Sequence, residues 1–277
     1  MTQATSVLYY PGGKTRLVRR LTQFLPSSPS SGVLVSPFFG GGSFELHVAR
    51  TRGWRVIAND ADWRVHNFWK TAQDPERRAE LVRLADLAWQ LPFDVVTKAA
   101  MLPQGALDPI NAAAYYWVKG RRSVNGHVYG GGESKQRSQQ TLRSAIQALE
   151  RDAPTLAEHV TLFNLDYRVF LREAFLQIDA LPTANVVVFL DPPYEIKHKR
   201  LYAGHATFSH DELHRFLQDD DDVMRDRDWI LCGSKTADRM RRDFGECYEV
   251  QNGRQTELVA VRYTASASSC SVLAREE

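Results

Sequence analysis

Asp191-Pro192-Pro193-Tyr194 directly follows Val186 to Leu190, an uninterrupted run of β-branched, aromatic and aliphatic residues. In an open α/β sheet the ligand crevice lies outside the carboxyl ends of the strands, so this tetrapeptide stands where chemistry is expected. Asp191 can accept a hydrogen bond from an amino group. Proline restricts the backbone before it and leaves a carbonyl fixed in direction, and Tyr194 offers a flat face for stacking a base. A simple strand-ending turn would use the same residue types.

A second constellation lies upstream. Phe38-Phe39-Gly40-Gly41-Gly42-Ser43-Phe44-Glu45 follows the apolar run Val33 to Val35 and precedes a helical segment, Phe44 to Ala49. Glycines at such a turn let backbone amides approach a ligand, and the helix N-terminus favours a negative group. Asn59-Asp60 ends the next apolar run, where a carboxylate can accept both hydroxyls of an unphosphorylated ribose. The dehydrogenase fingerprint fails because Glu45 occupies its third glycine position. Gly13-Lys14-Thr15 imitates the end of a phosphate-binding loop, but Leu8 stands where the first glycine of that motif belongs, which excludes it.

The elements that must position these residues read as an α/β domain. Val33 to Val35, Val56 to Ala58, Val186 to Leu190, Trp229 to Cys232 and Leu258 to Val261 are short, mostly β-branched runs with helix-like segments between them, which predicts a largely parallel sheet. Leu17, Leu21, Phe24 and Leu25 recur at helical spacing, and Pro26 to Gly32 reads as the exposed loop that ends that helix. From Pro75 to about Leu149 the pattern is helical without a strand. Residues 70–155 are accordingly predicted to be a helical insertion, 1–69 and 156–263 the main domain, and 264–277 a poorly ordered tail.

Composition sets the outer limits. The 277 residues are 43% hydrophobic and 25% charged, with a net charge of +2, which excludes collagen-like and disordered classes. The longest apolar run is far short of a membrane span, no signal pattern opens the chain, and three cysteines at irregular spacing suit neither a disulfide framework nor a metal site. A reducing cytoplasm, of a prokaryotic cell or a virus-infected host, is the expected compartment. Four histidines, His198, His205, His210 and His214, form no closed ligand set. Their segment leads into a helix capped near Ser209, with Glu212 completing a capping box.

In order along the chain, Pro11-Gly12-Gly13-Lys14, the Phe38 to Gly42 loop, the insertion and Asp191 to Tyr194 resemble the Dam-like family of DNA adenine N6-methyltransferases. Arg254 to Tyr263 looks like that family's closing strand. The resemblance implies a doubly wound, mostly parallel Rossmann-like methyltransferase sheet with an inserted helical target-recognition domain. It implies S-adenosylmethionine as cofactor, S-adenosylhomocysteine as product, and no metal. By the same resemblance Tyr10, Lys14, Phe39, Gly40, Gly42, Asp60, Asp166, Tyr167 and Asp191 contact the cofactor, and Asp191, Pro192, Pro193 and Tyr194 are catalytic. The Asp191 carboxylate and the Pro192 carbonyl would accept the hydrogens of the adenine amine, whose lone pair then points at the methyl group. That amine lies inside the duplex, so the base must flip out, at a cost of a few kcal/mol. Stacking on Tyr194 offsets much of this, at roughly 1–3 kcal/mol per base.

The implied partner is duplex DNA, met by a monomer, with a cognate restriction endonuclease as a further candidate partner. Between Pro109 and Arg143 six Lys or Arg face one acid, so that segment carries +5 and the rest of the chain −3, a footprint of phosphate contact. Lys119, Arg121, Arg122, Ser123, Asn125, Lys135 and Arg137 are the candidate DNA contacts, with Arg122 and Asn125 near bases and Lys119 and Lys135 on phosphate. The family has an aromatic residue before Asn-Gly in this region; here Val124 stands there. Two alternatives remain at this point: methylation of cytosine at N4, whose amine could use the same acceptors, and a DNA-binding regulator without turnover.

Overall fold

A computed structural model describes residues 6–27, 31–136, 138–178, 185–194, 208–218, 223–234, 238–252 and 255–264. Seven strands form one sheet: β1 (Gly32–Ser36), β2 (Arg55–Asn59), β3 (Val160–Phe163), β4 (Asn185–Leu190), β5 (Asp228–Ser234), β6 (Tyr248–Asn252) and β7 (Gln255–Arg262), in the order β3-β2-β1-β4-β5-β7-β6. The first five are parallel, and β7 runs antiparallel between β5 and β6. The order reverses at β1, so a crevice opens where the connections from β1 and β4 diverge.

Alternation along each strand assigns its side chains to two cores. Leu34, Val56, Ala58, Val187, Phe189, Ile230 and Val259 face one layer; Val33, Val35, Ile57, Val188, Leu190, Leu231 and Leu258 face the other. Both faces are apolar because helices cover both, which explains why the parallel strands read as unbroken apolar runs. The first layer contains α1 (Val18–Leu21), α2 (Ser43–Arg52) and α3 (Trp63–Gln73); the second contains α8 (Tyr167–Ile178), α9 (His210–Gln218) and α10 (Asp238–Phe244).

Between β2 and β3 lie α4 (Pro75–Trp89), α5 (Phe93–Ala100), α6 (Pro109–Arg122) and α7 (Gln139–His159). Asp108 starts α6 by accepting hydrogen bonds from the Ile110 and Asn111 amides, with Pro109 in the first turn, a favoured pairing of cap and proline. Tyr116, Trp117 and Val118 of α6 are fully buried and belong to the same core as the sheet's first face. The inserted helices therefore share a core with the sheet, and α7 runs on without a break from Gln139 into the residue before β3.

Three details differ from the sequence reading. The helix expected over Leu17 to Leu25 is a four-residue α-helix followed by a 3-10 turn at Thr22–Phe24. Gly32 belongs to β1, not to the preceding loop, and Pro26 is buried. Strand β6 was not anticipated, because Tyr-Glu-Val-Gln-Asn alternates only weakly and lies at a sheet edge.

Candidate active site

The loops leaving β1, β2 and β4 converge at the carboxyl edge of the sheet around a cavity of about 370 Å³. Its lining includes Tyr10, Lys14, Phe39 to Gly42, Asp60, Asp166, Tyr167 and Asp191 to Tyr194. Residues as far apart in sequence as Tyr10 and Tyr194 are thus brought into one crevice by the parallel topology.

On the β1 and β2 side, the Gly40 amide donates to Asp60 Oδ2 at 2.8 Å, and the Asp62 amide donates to Asp60 Oδ1 at 2.9 Å. Gly40 and Gly42 adopt φ +46° and +62°, the left-handed region, and a Cβ on either would meet the Tyr10 or Phe39 ring at 3.0 or 2.8 Å. Glycine is required at both for conformation and for space. Buried Asn59 fixes the base of this loop, donating to the Pro37 and Leu165 carbonyls at 3.1 and 3.0 Å while accepting from the Leu165 amide at 2.8 Å. Burial, with Asp62 alongside, pushes the Asp60 carboxyl up to about 7 against the two amides that favour its charge. Asp60 keeps unused lone pairs and lines the cavity, which suits a ligand that donates hydroxyls.

Aromatic rings wall the other side. Phe38 lies 5.6 Å from Tyr167 and 5.6 Å from Phe208, edge-on to the latter. Asp166 accepts from the Arg168 amide at 2.9 Å at the start of α8. An apolar slot beside a hydroxyl-accepting carboxylate fits an adenosine.

The β4 end carries the densest cluster of charge. Lys14 is buried, and its ammonium donates to Asp191 Oδ1 at 2.7 Å, to the Gly12 carbonyl at 2.8 Å and to the Tyr194 hydroxyl. All three of its hydrogens have protein acceptors. The sequence reading gave Lys14 to the cofactor; its position makes it the counter-ion of Asp191. The Tyr194 hydroxyl in turn donates to Glu257 Oε2 at 2.5 Å, and that carboxylate lies 3.7 Å from Lys14. Burial disfavours the Lys14 charge, but Asp191 and Glu257 together raise its pKa above the usual lysine value. Burial also raises Asp191, opposed by Lys14. Glu45, the residue that broke the dinucleotide fingerprint, is buried, accepts from Ser36 Oγ at 2.7 Å and is pushed by burial up to about 7.

Residues 10–238 match the model of one family, the D12 class N6 adenine-specific DNA methyltransferase. The chain belongs to that family. It is an enzyme that methylates DNA on the N6 amine of adenine, with a Rossmann-like fold, so cytosine N4 methylation and a binding-only role both fall away. No curated protein gives a significant match to the chain.

In this methyltransferase the insertion's positive residues are distributed otherwise than the charge count implied. Lys119, Arg121 and Arg122 are 2%, 3% and 9% exposed, and Ser123 is fully buried. Arg121 donates to the Ser6 and Val7 carbonyls, Arg122 to Glu133 and the Leu91 carbonyl, Lys119 to the Gly131 carbonyl at 3.3 Å, and Ser123 back to the Lys119 carbonyl at 2.7 Å. Assigning these four to DNA is corrected: a charged group on a helix C-terminus can be spent on carbonyls, and here the last turn of α6 does so. Val124, Asn125 and Lys135 are exposed on the turn that follows, with Asn125 at φ 52°. Arg137 lies outside the described residues.

Two residues of the methyltransferase site were not singled out from sequence. Glu257 is an acid in phase with buried Val259 and half-buried Val261 of β7, which is the signal that could have exposed it. Tyr129, on the turn between α6 and α7, donates its hydroxyl to Asp62 Oδ2 and so ties the insertion to the loop that follows β2. Nothing in its sequence neighbourhood marks it. Ser209 does cap α9, accepting from the Glu212 amide at 3.2 Å, as expected. No helix among the described residues is long and apolar enough to cross a membrane.

Proposed function

We propose that the methyl donor is S-adenosylmethionine, with Asp60 accepting from its ribose hydroxyls, the Phe39 to Gly42 backbone beside its amino-acid portion, and Tyr10, Asp166 and Tyr167 completing the slot. When bound it supplies an electrophilic methyl group on a sulfonium. The observation that carries this reading is that Asp60 and Asp191 open into one cavity, joined by the glycine loop.

Asp191 and the Pro192 carbonyl accept the two hydrogens of a flipped adenine amine, drawing its lone pair out of conjugation. The flipped base stacks on Tyr194, whose ring is held by its hydroxyl. Lys14 keeps Asp191 ionised and aimed. No strong base is needed, since the methylated amine is cationic and loses its proton readily. The exposed turn bearing Asn125 and Lys135 meets the duplex.

Incubation with S-adenosylmethionine labelled in the methyl group and plasmid DNA, followed by nucleoside analysis, tests the reading. Label in N6-methyl-2′-deoxyadenosine that depends on Asp60 and Asp191 supports it; methylation undiminished in Asp60→Ala and Asp191→Ala variants removes it.

A further inference from the structure

Strand β7 is antiparallel, so its N-terminal end, not its C-terminal end, lies at the carboxyl edge of the parallel strands. Glu257 stands there, opposite Ser234 of β5 and Val250 of β6, outside the residues that match the family. It is 8% exposed. A buried carboxylate is costly unless paired, and the fold gives no reason for this one: Lys14 is already neutralised by Asp191 at 2.7 Å, with Glu257 a second acid on the same cation at 3.7 Å. Its other contact is the Tyr194 hydroxyl, pinned between Glu257 as acceptor and Lys14 as donor.

We propose that Glu257 is a positioning residue for methyl transfer. It holds the Tyr194 ring against the flipped base through the phenol, and by sharing Lys14 it leaves more negative charge on Asp191 for the adenine amine. This rests on the roles given above to Tyr194 and Asp191. Among the described residues, the titratable groups facing Glu257 are Lys14, Asp191, Tyr194 and, from β5, Cys232, with Glu45 beyond them.

The test uses the whole 277-residue enzyme and two duplexes of one sequence: one keeps the target adenine that plasmid mapping identifies, for the kinetics, and one carries 2-aminopurine in its place, for the fluorescence of flipping. Glu257→Gln keeps an acceptor for the phenol but removes the charge. It is expected to lower kcat roughly tenfold, leave KM for S-adenosylmethionine within about twofold, and move the acid limb of the kcat profile to lower pH, because Asp191 then has Lys14 to itself. Glu257→Asp, one methylene shorter, keeps the charge but loses the phenol; it should leave the limb in place and weaken the 2-aminopurine fluorescence rise. Tyr194→Phe should add little to Glu257→Asp. A fall in kcat with an unmoved acid limb in Glu257→Gln, or a normal fluorescence rise in Glu257→Asp, overturns the proposal, as would wild-type kinetics in both. If Glu257→Gln does not fold, Glu257→Asp decides alone. Wild-type turnover in Asp191→Ala would instead sink the underlying roles, whatever the Glu257 variants do.

Discussion

The Lys14 ammonium lies 2.7 Å from Oδ1 of Asp191, 177 residues further along the chain. This contact makes the N-terminal glycine turn part of the reaction centre, because the carboxylate at the end of β4 is held by the first segment of the protein. Removing one partner of a buried pair strands the other charge, at a typical cost of about 3–5 kcal/mol. With Asp191 still 19% exposed, the lower end applies. Lys14→Met should therefore lose about 3 kcal/mol in denaturant unfolding and slow methyl transfer about 100-fold or more. Unchanged stability and turnover would place the pair outside the site's function.

Tyr194 should show a graded response. Its ring face is left by Tyr194→Phe, while its hydroxyl, bonded to Glu257 and Lys14, is lost. Phenylalanine should reduce turnover by about tenfold, and alanine by a further factor of about 10–100 as stacking disappears. Equal losses in the two variants, read by single-turnover kinetics on one duplex, would contradict stacking.

Cofactor affinity should depend on pH through Asp60. Its carboxyl titrates near 7 in the free protein because burial raises it, and only the ionised form accepts from both ribose hydroxyls. Binding should be full above pH 7 and weaken by roughly tenfold per unit below it. Calorimetric titration with S-adenosylhomocysteine measures this directly. Asp60→Asn should bind more weakly and lose most of the pH dependence. Glu45 remains in that variant, so a dependence that persists would belong to Glu45 instead.

Within the insertion, buried and exposed cations should behave oppositely. Arg121→Ala removes donors from the Ser6 and Val7 carbonyls and should cost about 1–3 kcal/mol of stability. Its salt dependence of DNA binding should match the wild type. Lys135→Ala should leave the melting temperature unchanged, weaken binding to all sequences and reduce the slope of log K against log salt by about 0.9. Binding titrations at several salt concentrations, beside thermal melts, separate the two; exchanged behaviour would contradict this division of roles.

Much of the site was legible because parallel topology forces loops after buried strands to one edge: the runs before Phe38, Asp60 and Asp191 are β1, β2 and β4. The positions of individual cations were not legible. Lys119 looks like a phosphate contact and Arg122 like a base contact in a linear sequence, yet the last turn of α6 directs them to Gly131 and Glu133. The short-range pattern carries no sign of those partners, which the following turn brings back. Glu257 escaped for a different reason: only the reversed direction of β7 brings its first residues to the crevice, and strand direction is not written in an apolar run.

The central claim is that Asp191 activates the adenine amine. Single-turnover transfer from labelled S-adenosylmethionine by Asp191→Ala, with DNA binding measured on the same preparation, tests it most directly. The account predicts a loss of at least about 1,000-fold in the chemical step with DNA affinity within a few-fold of wild type. Near-normal single-turnover transfer by that variant would contradict it.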